Sequence, residues 1–191
     1  MKPLLFETIK IENGQIENIQ WHNQRYNRSC FELFQEKKEG DLATFITAPK
    51  RGLYRCRILY NEEIKSVEYI PYTPKKILHL KIVKSQIDYS YKYNNRDAFE
   101  ELKQRGYDEI IIEKNGLITD TTIANIAFYN GTEWITPKTP LLEGTLRARL
   151  LNENFLKLKD IKKDEITNFS HFALMNAMIG FQIQKSVSIR L

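Results

Sequence analysis

Lys92 is the residue in this chain whose surroundings first suggest chemistry. It stands between Tyr91 and Tyr93, near Tyr89, in a stretch that runs on to Asn125 as KYNNRDAFEELKQRGYDEIIIEKNGLITDTTIAN. A lone lysine is ordinarily a solvated surface group. To attack a carbonyl it must lose its proton, which takes burial or a nearby cation. The tyrosines offer apolar walls with polar tips. The stretch closes on an acid, Asp120, and an amide, Asn125. Taken alone, Asp120 reads as a polar turn residue after Gly116. Asn125 lies in an apolar strand, where an amide must find partners or cost about 1–3 kcal/mol.

Two further places suit an anion. In Leu142-Glu143-Gly144-Thr145-Leu146-Arg147 a glycine precedes a helix. Backbone N–H groups can approach an anion there, and the helix dipole adds a favourable field. The alternative is an ordinary helix start. In His22-x-x-Arg25 the guanidinium can give a phosphate two parallel hydrogen bonds, which a lysine cannot. The alternative is a surface arginine at a helix start, with His22 structural. His79 and His171 sit in apolar strands and read as packing residues.

Alternation and turn signals place these residues on elements. Leu4–Ile11 predicts a strand, Asn13-Gly14 a hairpin turn, and residues 15–20 the returning strand. Apolar and aromatic residues at 26, 30, 31, 33 and 34 predict a helix packed on the sheet. Residues 41–46 predict a short helix, and Leu53–Tyr60 a strand with Leu53, Arg55, Arg57 and Leu59 on one face. Residues 64–70 return from it. Residues 76–83 predict a strand crossing into a second part, so the chain divides into a domain over 1–80 and a domain over 81–191. A helix over 97–105 ends at Gly106. Strands follow over 108–112 and 123–129, then an extended segment over 134–137. A helix spans 146–156, and strands span 170–175 and 182–189.

Bulk composition narrows the function classes. The chain has 191 residues, 42% hydrophobic and 28% charged, with ten Phe and ten Tyr, which fits a globular protein with a real core rather than a disordered one. The net charge of +5 is spread among acids without a long basic run, so nucleic acid is not the expected partner, whereas an anionic substrate or cofactor suits the charge. Cys30 and Cys56 make no disulfide scaffold and have no metal-ligand spacing. Met1-Lys2-Pro3 precedes only a short apolar stretch, and no run is long enough to span a membrane. A reducing cytoplasm is the expected compartment, with no metal and no membrane partner.

The order of lysine, helix, Gly106-x-Asp108-Glu109, apolar strand, Asn115-Gly116 turn, acid and asparagine resembles the centre of the class IV aminotransferase family. These are the fold-type IV enzymes that use pyridoxal 5'-phosphate (PLP). The form Lys92-x-x-Asn95-Arg96 is most similar to the family's 4-amino-4-deoxychorismate lyase branch. The resemblance extends from Phe6-Glu7-Thr8 to Gly180. It implies an α+β or α/β architecture of two domains, a small N-terminal α/β domain and a larger C-terminal domain on a pseudo-barrel. It also implies a homodimer.

The resemblance carries roles onto single residues. Lys92 becomes the catalytic lysine that bonds the cofactor aldehyde and later moves protons. Asp120 stands where the family has a glutamate beside the pyridine nitrogen, and Asn125 becomes a supporting residue near the cofactor. Arg25, the Gly144-Thr145-Leu146 turn and Asn176-Ala177 become phosphate contacts. Thr145 takes the family's isoleucine place and Leu146 its threonine place, which removes a hydroxyl. Met175-Asn176-Ala177 resembles the lyase branch, where branched-chain aminotransferases carry a threonine-alanine pair. Arg55 and Arg57, with Tyr91, could receive the carboxylates of a chorismate-like amine, or could lie on the solvated face of a hairpin. Three functions stay open: a lyase forming 4-aminobenzoate and pyruvate in folate biosynthesis, an aminotransferase of branched-chain or D-amino acids, and a PLP binder without catalysis.

Overall fold

The structure is a computed structural model that describes residues 2–37, 39–185 and 187–190. The chain divides into two units, residues 1–74 with 91–95 and residues 75–90 with 96–191. The sequence suggested one boundary near residue 80. The contacts instead return a five-residue segment holding Lys92 to the first unit. The cause is backbone pairing: the Phe6 N–H donates to the Lys92 carbonyl at 3.0 Å, and the Asn94 N–H to the Leu4 carbonyl at 2.8 Å.

The first unit is built on a four-stranded antiparallel sheet. Its strands are β1 (Leu5–Glu12), β2 (Gln15–Ile16), β3 (Leu53–Tyr60) and β4 (Ile64–Pro71), in the order β2-β1-β3-β4. Asn13 and Gly14 both take positive φ, as the two central residues of a tight hairpin turn require. β2 is two residues long, not the six expected. Asn18 adopts a left-handed backbone, and helix α1 (Ile19–Phe34) begins directly after it. That start lies well ahead of the apolar pattern, because the first buried residues of α1 are His22 and Arg25. The helix packs Tyr26, Cys30 and Phe34 against Leu5, Ile9 and Ile58 of the sheet. A single 3-10 turn covers Leu42–Phe45, opened by Asp41, whose side chain accepts from the Ala43 N–H.

The second unit carries β5 (His79–Lys84), α2 (Asp97–Leu102), β6 (Glu109–Lys114), β7 (Leu117–Thr121), β8 (Asn125–Tyr129), β9 (Trp134–Pro137), α3 (Thr145–Asn152), β10 (Leu156–Lys159), β11 (His171–Asn176), β12 (Gly180–Gln184) and β13 (Ser188–Arg190). Among the described residues these strands form one mixed sheet in the order β10-β9-β8-β7-β6-β5-β13, with β11 and β12 branching from β8. The predicted strand over 182–189 is two strands. β12 runs antiparallel to β11, and β13 runs parallel to β5; Ser186, between them, lies outside the described residues. The predicted helix over 146–156 stops at Asn152, because Asn154 takes a positive φ and Leu156 enters β10. β6 is buried along nearly its whole length, as a central strand covered on both faces should be. His79 and His171 are exposed, contrary to their reading as packing residues. Each is the first residue of its strand, ahead of the buried positions, and bonds a serine: His79 to Ser188, His171 to Ser170.

Candidate active site

The residues marked by the sequence fall into two groups, one in each unit. In the first unit, period two along β1 puts Leu5, Glu7, Ile9 and Ile11 on one buried face, so a carboxylate stands in an apolar row. α1 meets it with a stripe of His22, Arg25, Tyr26, Ser29 and Cys30, spaced by three and four. Arg25 grips Glu7 side-on: Nε donates to Oε1 at 2.8 Å and Nη2 to Oε2 at 2.5 Å. His22 Nδ1 lies 2.7 Å from the same Oε2. Glu7 and His22 are fully buried and Arg25 is 8% exposed.

Burial by itself would raise the Glu7 carboxyl. The Arg25 charge and the hydrogen bonds from His22 and Arg25 outweigh it and hold the group at about 2. Burial pulls the His22 imidazole below its ordinary value against the opposing pull of Glu7. His22 is therefore a neutral ring near pH 7, with Nδ1–H donating to the carboxylate.

Lys92 belongs to this unit. Its Nζ lies 4.7 Å from the centre of the Phe6 ring, and the Arg57 guanidinium carbon lies 4.8 Å from the same centre. Arg57 also donates to the Asn94 side chain, within the Lys92 segment. Two cations within reach of one aromatic ring favour an anion beside them. Arg55 lies two residues earlier on the same face of β3, half-buried, with its Nε unpartnered. Tyr91 packs edge-on against Tyr93, with ring centres 5.9 Å apart.

In the second unit Asp120 and Asn125 are directly opposite each other across β7 and β8, so their side chains meet. Asn125 Nδ2 donates to Asp120 Oδ1 at 2.7 Å and to the Leu142 carbonyl at 2.8 Å. The Leu142 N–H donates to Asp120 Oδ2 at 2.9 Å. The pair thereby holds the loop that leads into α3. Gly144 opens that helix with an ordinary φ of −68°, so glycine is needed for space rather than for backbone freedom. A Cβ there would overlap Asn125 Oδ1. Gly144→Ala should therefore unseat Asn125 and cost about 1–3 kcal/mol, as overpacking does. Urea unfolding would check this, and an unchanged midpoint would remove Asn125 from the loop's support.

At the start of α3, Thr145 and Leu146 are both buried, and Leu146 packs with Ala127, Leu150 and Met175. Leu146 is thus a core side chain, and at that position only its backbone N–H is available to an anion. Arg147 is buried beneath, donating from Nη2 to the Pro137 carbonyl at 2.8 Å. Asn176 ties the end of β11 to the turn after Asp120, its Nδ2 donating to the Ile123 carbonyl at 3.1 Å while its Oδ1 accepts from the Met178 and Ile179 N–H groups. Ala177 follows, half-buried.

Burial lifts the Asp120 carboxyl to about 6, against its hydrogen bonds from Leu142 and Asn125 and the charge of Arg147. A carboxyl raised in the folded state gives stability that is fully present below the unfolded value, about 3.9, and is lost as pH rises through about 6. The whole loss is about 3 kcal/mol. Unfolding of the cofactor-free chain from pH 4 to 7 should show this fall relative to Asp120→Asn. Parallel pH profiles for the two chains would contradict it.

Three residues of these networks carried no site role in the sequence reading. Glu7 could have been found from its place among Leu5, Ile9 and Ile11, where period two demands an apolar residue. Arg147 closes the Leu142–Arg147 stretch, but its burial against the Pro137 carbonyl had no signal in the sequence. Arg96, within the lysine motif, donates to the Thr122 carbonyl at 2.6 Å and lies 4.5 Å from the Phe99 ring centre, bracing the turn between Asp120 and Asn125.

Comparison with known proteins points to the same family. Residues 90–187 match the family described as amino-transferase class IV. An uncharacterised protein of Haemophilus influenzae is 41% identical over 184 residues, covering 92% of this chain and 98% of the relative. A crystal structure from Haemophilus somnus, provisionally named a 4-amino-4-deoxychorismate lyase, superposes with a TM-score of 0.85 at 38% identity over 94% of this chain and 98% of that one. The 4-amino-4-deoxychorismate lyase of Pseudomonas aeruginosa superposes with a TM-score of 0.76 at 15% identity, over all of this chain and 85% of that one, a likeness of fold. With residues 90–187 matching the family, a 41% identical relative spanning 92% of the chain and the fold shared over 94% of it, this chain belongs to the class IV amino-transferase family and has the fold-type IV architecture.

Proposed function

We propose that this chain is a PLP-dependent lyase that converts 4-amino-4-deoxychorismate to 4-aminobenzoate and pyruvate, a step of folate biosynthesis. The observation that carries this reading is its likeness, in sequence and fold together, to the provisionally named lyase of Haemophilus somnus. The form Lys92-x-x-Asn95-Arg96 supports it. The donor set fits the cofactor's chemistry: a primary amine for an aldehyde, a buried carboxyl for a pyridine nitrogen, and a guanidinium with helix N-terminal N–H groups for a phosphate. The Asp120 carboxyl accepts from Asn125 and from the backbone of Leu142 and Leu141, and a carboxylate with about four lone-pair sites keeps room for a further donor.

When bound, PLP supplies an aldehyde that holds the substrate amine and a ring that accepts electron density. Lys92 takes the proton from the amine-bearing carbon of the substrate. It returns that proton to the methylene carbon of the departing enolpyruvyl group, which leaves as pyruvate while the six-membered ring becomes aromatic. Asp120 holds a proton at the pyridine nitrogen. By the family resemblance, Arg25 of the first unit and, in the second, the N–H groups of residues 144–146 with Asn176-Ala177 would each be phosphate contacts, with Asn125 supporting the loop. Arg57, with Arg55 and Tyr91, orients the substrate carboxylates beside the Phe6 ring. The same reading makes the protein a cytoplasmic homodimer. Both cysteines are free and buried, and no helix among the described residues is long and apolar enough to cross a membrane.

The test is a product assay on the PLP-supplied protein with 4-amino-4-deoxychorismate. Release of pyruvate and 4-aminobenzoate without any 2-oxo acid is expected. Turnover only when a 2-oxo acid accepts the amine would make it an aminotransferase, and PLP binding with no turnover of any amine would make it a binder. Sedimentation at assay concentration checks the dimer.

A further inference from the structure

We infer that Glu7 and His22 are positioning residues for phosphate recognition, acting through Arg25. This rests on the reading of Arg25 as a phosphate ligand. Glu7 takes the Nε and Nη2 edge of the guanidinium with two hydrogen bonds, and that pairing sets the plane and direction of the whole group. His22 bonds the same carboxylate and keeps it from rotating about its last torsion. The Nη1 side of Arg25 is thereby directed away from Glu7 before any anion arrives. An arginine ordered in advance loses less side-chain entropy on binding than a flexible one.

Stability alone does not account for the arrangement. A buried ion pair is often no better than apolar residues of the same volume, and here the pair occupies a row that otherwise holds Leu5, Ile9 and Ile11. Leucine at position 7 together with methionine at position 25 would fill the same space without charge. What the carboxylate adds is a fixed geometry for one guanidinium.

The test compares dissociation constants for PLP and for pyridoxal, which lacks the phosphate, in chains whose fold is checked by circular dichroism. Arg25→Met should lower the preference for PLP over pyridoxal by about 100-fold, the weight of a charge-assisted contact pair. His22→Asn and Glu7→Gln should each lower the same preference by about tenfold while leaving pyridoxal affinity within about twofold. His22→Asn should have no further effect in the Arg25→Met background, because it acts through that side chain. A His22→Asn chain that loses affinity for PLP and pyridoxal alike, or that keeps the full preference, overturns the inference. If Glu7→Gln does not fold, His22→Asn decides, since it leaves the Glu7–Arg25 pair in place. An unchanged preference in Arg25→Met would instead remove Arg25 from the phosphate site and the inference with it.

Discussion

Replacing Lys92 by alanine should reduce turnover by at least about 10³-fold, equivalent to roughly 4 kcal/mol of barrier, and leave the fold standing. The two effects separate because they rest on different atoms. The segment is attached to β1 through main-chain groups, the Lys92 carbonyl and the Asn94 N–H, which alanine retains. The side chain gives up its approach to the Phe6 ring, a cation–π contact of about 1 kcal/mol or less. Borohydride treatment of the PLP-supplied protein, followed by peptide mapping, should place a pyridoxyl group on Lys92 in the wild type and on no residue in Lys92→Ala. An alanine variant within tenfold of wild-type turnover, or label scattered over surface lysines, would end the scheme proposed for this lysine.

The largest expected loss of stability is that of Glu7→Gln, about 3–5 kcal/mol, because buried Arg25 would lose the carboxylate that pairs with it. Removing both charges should cost far less. Glu7→Leu with Arg25→Met should unfold within about 1–2 kcal/mol of wild type, since well-packed apolar residues replace a buried pair at little cost. Denaturant unfolding of the three chains at pH 7 measures both figures, and a single variant as stable as the double one would show that the pair is not desolvated. The pH dependence follows from the same contact. Glu7 is lowered to about 2, so its stabilisation is present above its unfolded value, about 4.5, and is lost as pH falls toward 2. The wild type should lose about 3 kcal/mol across that window relative to the double variant.

Glu7 and Asp120 thus push in opposite directions, although both are buried carboxyls. Glu7 has a full positive charge in bidentate contact, which outweighs desolvation. Asp120 has dipoles, an amide and the backbone N–H groups of Leu142 and Leu141, with Arg147 as a weaker influence, and desolvation wins. The difference lies in the partner and not in the depth.

Local sequence determined much of the framework. Alternation marked β3 with its observed bounds, and the Asn13-Gly14 and Asn115-Gly116 turns fall where the backbone takes positive φ. These features depend on a few adjacent residues, so a single stretch specifies them. The motif from Lys92 to Arg147 was enough to identify the family. The errors lie where a distant partner decides. Residues 15–20 were read as a strand because the polar face of α1 hides its period: His22 and Arg25 are core residues only because Glu7 meets them from β1. The last strand was read as one because two different partners, β11 and β5, divide it. Lys92 was assigned with the residues that follow it, yet hydrogen bonds to Leu4 and Phe6 join it to the first unit. Asp120 was legible as an acid five residues before an asparagine. That the two bond each other and the Leu142 loop was decided by cross-strand register. Sequence alone determined which groups are present and which family uses them. Tertiary structure decided which charges face each other out of water, because a buried charge is tolerated only beside a partner that the chain brings from far away.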